Sequence, residues 1–233
     1  MSAKELLHQV SQGAIRQRDA QVLNGDFRMN ATSKQTLLSN VAKLRRAAVA
    51  LILFHDDQGC LQLLLIQRAS GLKHHPAQVG FPGGRCEPHD LDDWATAKRE
   101  TIEEIGLTLD DGHMISPLAP YGSGSGFWVQ PYLCYLPNLV LTSLTLDKDE
   151  VDLAFSVSVA DLVSPEFSTL GSFAHDGQQR FWAKYDTKPA TLWGLSAGIV
   201  TYWLEDSGFD LNLMPPEPSP PIQLHSLEMA GIA

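Results

Sequence analysis

The chain has 233 residues, 44% hydrophobic and 19% charged, an ordinary globular composition with enough length for a sizeable core. A formal net charge of −10 and a pI near 5.1 exclude a general binder of nucleic acid or of anionic membranes, so a phosphate-bearing ligand would need a metal or local basic groups to hold it. Cys60, Cys86 and Cys134 form neither a Cys-x-x-Cys pair nor an even framework, the N-terminus is charged, and no apolar run reaches transmembrane length; a reducing, cytoplasmic setting without leader or membrane span is expected.

Taken in order, residues 1–45 read as a helical extension. Leu6, Leu7, Val10 and Ile15 make an amphipathic stripe, and a second helix opens at Thr32 with Leu37, Leu38, Val41 and Leu44 on one side. Residues 46–54 are a continuous apolar strand, Asp56 to Gly59 is a turn, and residues 61–67 are the returning strand. The strand delivers Arg68, which could hold a phosphate or pair with a carboxylate. His74 and His75 are adjacent, but no third ligand stands at zinc spacing, so zinc is not expected. Pro82, Gly83 and Gly84 give a backbone that can bend sharply and approach a ligand closely. Cys86 beside them is expected as a small filler, since no His and base pairing marks it as a nucleophile.

Residues 92–105 read as a helix with Asp92 or Asp93 as N-cap and Gly106 as its stop. Trp94, Ala95, Ile102 and Ile105 are predicted to face inward. At about 100° per residue, Glu100, Glu103 and Glu104 share another face. Beyond it come a strand over 115–121, a Gly/Ser loop over 122–126 and a strand over 127–136, with Phe127 and Trp128 expected in the core. Glu150 opens a late strand, a short helix starts near Asp161, residues 172–185 form a hairpin, and a final helix opens from Thr191. The segment 214–221 is Pro-rich and extended.

Three glutamates on one helix face are usually a solvated face. Like-charge neighbours also cost a helix a few tenths of about a kcal/mol each, which a divalent cation would offset. What sets this helix apart is its context. Arg99, Glu100, Glu103, Glu104, Gly106 and Leu107 fall in the places of the Nudix signature G-x5-E-x7-R-E-U-x-E-E-x-G-U, with Thr101 in a bulky aliphatic column. The first half departs: Gly84 to Arg99 is one residue longer, and Asp90 stands where the signature has glutamate. This spacing resembles the coenzyme A pyrophosphatase branch, whose upstream motif is close to L-L-x-x-R-S-x-x-L-x-x-H-x-G-Q-x-x-F-P-G-G. Arg68, Leu72, His75, Gln78 and residues 81–84 match it, while Ala69 replaces its serine and Ala77 its glycine.

The resemblance implies an α/β (α+β) Nudix fold, a mixed β-sheet sandwiched between α-helices, over residues 46–205, preceded by the helical extension 1–45 and followed by a Pro-rich tail, 206–233. It implies a hydrolase of the diphosphate bond in nucleoside diphosphates linked to another group. The expected substrate is coenzyme A or acyl-CoA, cut to 3′,5′-ADP and 4′-phosphopantetheine; ADP-ribose, NADH and a catalytically silent binding module are the alternatives. Glu100, Glu104 and Glu103 would hold Mg²⁺ or Mn²⁺, and a box glutamate or Glu150 would act as base. Arg68, His75, Gln78, Gly83 and Gly84 would line the substrate, and Arg99 would orient the glutamates. The implied partner is a small nucleotide diphosphate, with no nucleic acid and no membrane. A homodimer is common in such enzymes and is unmarked in this sequence.

Overall fold

The structure, a computed structural model, describes residues 1–18, 23–24, 41–123, 126–175 and 178–213. Residues 32–40 of the helix expected from Thr32, residues 124–125 of the Gly/Ser loop, the turn at Asp176 and the Pro-rich segment lie outside these residues. In chain order the elements begin with helix α1 (Ala3–Arg18) and strands β1 (Leu23–Asn24), β2 (Arg45–His55), β3 (Leu61–Arg68), β4 (Val79–Gly80) and β5 (Gly83–Arg85). Helix α2 (Asp93–Ile105) follows, then β6 (Met114–Pro117), β7 (Tyr121–Gly122), β8 (Phe127–Tyr135) and β9 (Val151–Ser158). The short helix α3 (Val159–Leu162), strands β10 (Ser168–His175), β11 (Gln178–Tyr185) and β12 (Leu192–Trp193), and helix α4 (Gly194–Asp206) complete it.

β2 lies at the centre of a mixed sheet ordered β1-β7-β8-β2-β3-β4, with β5 on β2, β6 on β8 and β9 on β3. It runs parallel to β8 and antiparallel to β3 and β5. The apolar run of β2 is continuous because both faces are covered. Leu51 and Leu53 face one core, with Leu63 and Leu65 of β3, under α1 and α4. Ala48, Ala50, Ile52 and Phe54 face the other, with Leu64 and Ile66, under α2. The side-chain period of two thus feeds two cores from one strand. Ala48 and Ala50 are small where α2 crosses, so the helix comes close to the sheet. The expected α/β sandwich is the architecture observed.

Helix α1 belongs to the first core through Leu6, Val10 and Ala14, and the Trp203 indole N–H of α4 donates to the Val10 carbonyl at 2.9 Å. Ile15, expected in the stripe, is exposed; 3.6-residue periodicity selects Leu6, Val10 and Ala14 instead. The strand expected over 115–121 is two strands, β6 and β7, with Pro117 ending β6 and Pro120 preceding β7, each lacking a backbone donor. The final helix begins at Gly194, after Leu192 and Trp193 have paired with β11. Phe127 packs against the first core and lies 3.9 Å beneath the Arg45 guanidinium. No helix among the described residues is long and apolar enough to cross a membrane.

Candidate active site

The site is built where β5, α2 and the ends of β3 and β9 meet. The Asp92 carboxylate caps α2 by accepting from the Ala95 N–H at 2.7 Å. Gly106 closes the helix in the left-handed region at φ 68°, its N–H donating to the Ile102 carbonyl. Between the caps, Trp94, Ala97, Thr101, Glu104 and Ile105 face the sheet. Ile102 does not: it is 47% exposed, because it lies about 160° around the helix from Glu104, and the sheet covers the Thr101 and Glu104 side of Ile105. The inward face therefore carries a carboxylate where an apolar side chain would be expected.

Glu104 is 1% exposed, and its Oε2 accepts from the Gly83 N–H at 2.9 Å. Its Oε1 is buried with no hydrogen-bond partner among the described residues. Arg68 Nη1 stands 3.6 Å from that oxygen, an ion pair too long for a hydrogen bond. Glu150 is brought in from far along the chain. The Asp147 N–H donates to the Glu104 carbonyl, the Glu150 N–H to the Asp147 carbonyl, and the Ala69 N–H to the Glu150 carbonyl. The register of β3 on β9 shifts between Gln67 and Arg68, leaving Asp152 as the extra residue, and its carboxylate accepts from the Ser70 N–H at 2.9 Å. Such bulges re-aim side chains, and this one sets Arg68 and Glu150 at the same end of the sheet.

One carboxylate oxygen each of Glu100, Glu104 and Glu150 lies within 4.8 Å of the others. The donor set fits a hard divalent cation: all ligands are oxygens, and one, Glu104 Oε1, is buried without the hydrogen bond that such an atom requires. Burial pushes the Glu104 carboxyl up to about 8, against the Gly83 N–H and Arg68, with Glu100 and Glu150 adding to the rise. Burial also raises Glu100, against Arg99. A cation among them would reverse both effects.

Arg99 orients part of this cluster. Its Nε and Nη2 donate to both carboxylate oxygens of Asp90 at 3.0 Å, and its Nη1 donates to Glu100 at 2.9 Å and Glu103 at 2.8 Å. Hydrogen bonding from Arg99 holds the Asp90 carboxyl well below the usual carboxylate range. Asp90 is the residue whose role the sequence left unread; its signal was its acidic column after Gly84. Glu103 is not gathered with the others. It is 55% exposed and held by Arg99, one helical step away from the buried Glu104. Cys86 donates to the Asp93 carboxylate, and burial raises its thiol, so it has no activated nucleophile's surroundings.

Gly83 and Gly84 pair with Val49 and Ala48 of β2. A Cβ at Gly84 would stand 2.5 Å from the Glu100 carboxyl carbon, so the turn is closed directly over the cluster. Gln78 fastens the preceding loop through its carbonyl, which accepts from the Arg68 N–H at 2.9 Å. His75 is exposed at φ 55°, and Ala77 follows at φ 56°. Ala77 occupies the column where the motif has glycine, and its conformation gives the reason: a left-handed L residue costs about 1–2 kcal/mol. After the greater unfolded-state freedom of glycine is subtracted, Ala77→Gly is expected to gain about 0.5–1 kcal/mol. A urea midpoint that does not rise would show that the loop absorbs the strain.

The NUDIX domain family matches residues 44–176. The chain is 33% identical over 177 residues to the mitochondrial coenzyme A diphosphatase NUDT8 of Mus musculus, covering 74% of this chain and 84% of that protein. Its Homo sapiens counterpart is 32% identical over 177 residues, covering 74% and 75%. Nudix hydrolase 15, mitochondrial, of Arabidopsis thaliana is 32% identical over 162 residues, covering 68% and 57%. The matched span holds the Gly83–Gly84 turn, the glutamate helix and Glu150 alike, and the chain belongs to the Nudix family of hydrolases.

Proposed function

We propose that the chain hydrolyses the diphosphate bond of coenzyme A or an acyl-CoA to 3′,5′-ADP and 4′-phosphopantetheine, using Mg²⁺ or Mn²⁺ held by Glu100, Glu104 and Glu150. The observation that carries the hydrolytic part is the convergence of these three carboxylates beside Arg68. The substrate is supported by similarity to proteins named coenzyme A diphosphatases over a span that includes both motifs. Bound there, the cation would neutralise charge on the diphosphate and activate water.

The chain's own residues have distinct tasks. Gly83 fixes Glu104 through its N–H, and Arg99, braced by Asp90, fixes Glu100. Arg68 supplies a positive charge for the diphosphate in a chain of net charge −10. Glu150, the exposed member of the three, is the carboxylate we assign to take the proton of the attacking water. His75 and Gln78, on the loop after Arg68, are proposed to line the leaving portion of the substrate. Cys60, Cys86 and Cys134 are all free, as a reducing compartment allows.

A panel of coenzyme A, acetyl-CoA, ADP-ribose and NADH with Mg²⁺ or Mn²⁺, with products identified by mass, tests the substrate. We expect coenzyme A or its acyl form to be cut with kcat/KM at least about tenfold above the others, a discrimination of ~1.4 kcal/mol. Coenzyme A left intact while ADP-ribose is cleaved would overturn the substrate and leave the hydrolase reading standing.

A further inference from the structure

We propose that Arg68 is a built-in competitor of the divalent cation: its guanidinium stands against the buried oxygen of Glu104 until the cation arrives, and is then released to the substrate's diphosphate. This rests on the metal-dependent reading above. The two positive charges contend for one atom. Glu104 Oε1 is the buried carboxylate oxygen without a hydrogen bond, and Arg68 Nη1 lies 3.6 Å from it. The guanidinium is close enough to oppose a second positive charge at that oxygen and too far to hydrogen-bond it, so the oxygen is left open to a ligand.

The surroundings allow only the side chain to move. The Arg68 N–H donates to the Gln78 carbonyl at 2.9 Å, and the Ala69 N–H donates to the Glu150 carbonyl at 2.8 Å. The Ser70 N–H donates to the Asp152 carboxylate at 2.9 Å. The backbone is pinned on both sides of the β-bulge. The Arg68 side chain is 32% exposed while Glu104 is 1% exposed, so the cation-binding oxygen is fixed and its present partner can swing toward solvent. A cation at Glu104 repels the guanidinium, and an incoming diphosphate attracts it. Cation and substrate thereby favour each other's binding through one side chain, and the coupling is reciprocal.

The test is Mn²⁺ titration of the chelator-treated full chain, with free Mn²⁺ followed by electron paramagnetic resonance. Removing the competing charge in Arg68→Gln should tighten Mn²⁺ binding about tenfold, within the usual range of coupling between sites, while raising KM for substrate. Arg68→Lys keeps the charge and should stay near the wild-type affinity. Equal or weaker Mn²⁺ binding by Arg68→Gln, with uptake still abolished by Glu104→Gln, would overturn the competitor role and leave the metal site intact. A wild type that takes up no Mn²⁺ would overturn both readings. A second measurement needs no variant: the order parameter of the Arg68 Nε–Hε group should fall on Mg²⁺ saturation, and one that stays fixed refutes the release.

Discussion

Glu104→Gln is expected to lower kcat by about 10³-fold or more, equivalent to ~4 kcal/mol of transition-state stabilisation, while the fold persists. Glutamine keeps the shape of the side chain, and its carbonyl can still accept from the Gly83 N–H that now bonds Glu104 at 2.9 Å. What it loses is the charge on the oxygen that has no hydrogen bond. Glu100 and Glu150 alone offer only the less buried part of the site, too little to retain the proposed divalent cation. Mg²⁺ should therefore raise the melting temperature of the wild type and leave that of the variant unchanged.

The same variant has a pH signature in chelator-treated protein. Burial raises the folded Glu104 carboxyl to about 8, above its unfolded value. The stability tied to its protonated form is fully present below the unfolded value, near ~4.3, and is lost as pH rises through the folded one. Wild-type stability should fall between those limits relative to Glu104→Gln, whose amide does not titrate. Parallel melting temperatures from pH 5 to 9 would show that Glu104 is not the buried acid the structure makes it.

The glutamate helix was legible because caps, spacing and the ordered Arg99-Glu100 and Glu103-Glu104 pairs all agreed on it. The division of labour among its acids was not legible. A helical wheel puts Glu100, Glu103 and Glu104 on one side, yet adjacent residues are about 100° apart, and tertiary contact decides which one turns inward. Gly83 and the sheet take Glu104, while Arg99 takes Glu103 to the surface. The same wheel places Ile102 inward, about 60° from Ile105, but the sheet covers the Thr101 and Glu104 side of α2 and leaves Ile102 exposed. Glu150 could be reached only by resemblance, because the backbone bonds from Ala69 and Asp147 that bring it in join distant parts of the chain. The bulge at Arg68 has no sequence signature, since it depends on the register of β3 against β9. The contact of α1 with α4 is of the same kind: Val10 accepts from Trp203 across nearly the whole chain.

The neighbouring glycines should fail in different ways when each is replaced by alanine. At Gly83 the new Cβ would stand 2.3 Å from the Ala48 carbonyl oxygen and 2.6 Å from Val49 Cα, at φ 148°. Backbone in the middle of the sheet cannot retreat, and the conformation itself disfavours an L side chain. Gly83→Ala is expected to cost about 3 kcal/mol or more, read as a lower urea midpoint, with Glu104 losing its N–H donor as the strand shifts. At Gly84 the nearest atoms are instead the Glu100 carboxyl carbon and oxygens, at 2.5–2.7 Å. These are the end of a side chain, so the carboxylate can be displaced while the strand stays in register. Gly84→Ala should keep its urea midpoint within about 1 kcal/mol of wild type, yet lose about 10²-fold in kcat, as a misplacement near 1 Å in a catalytic constellation does. The contrast is the discriminating result. If Gly84→Ala were unstable and Gly83→Ala inactive but stable, the turn would not be closed over Glu100 as described, and the proposed cation site would have to be built from other oxygens.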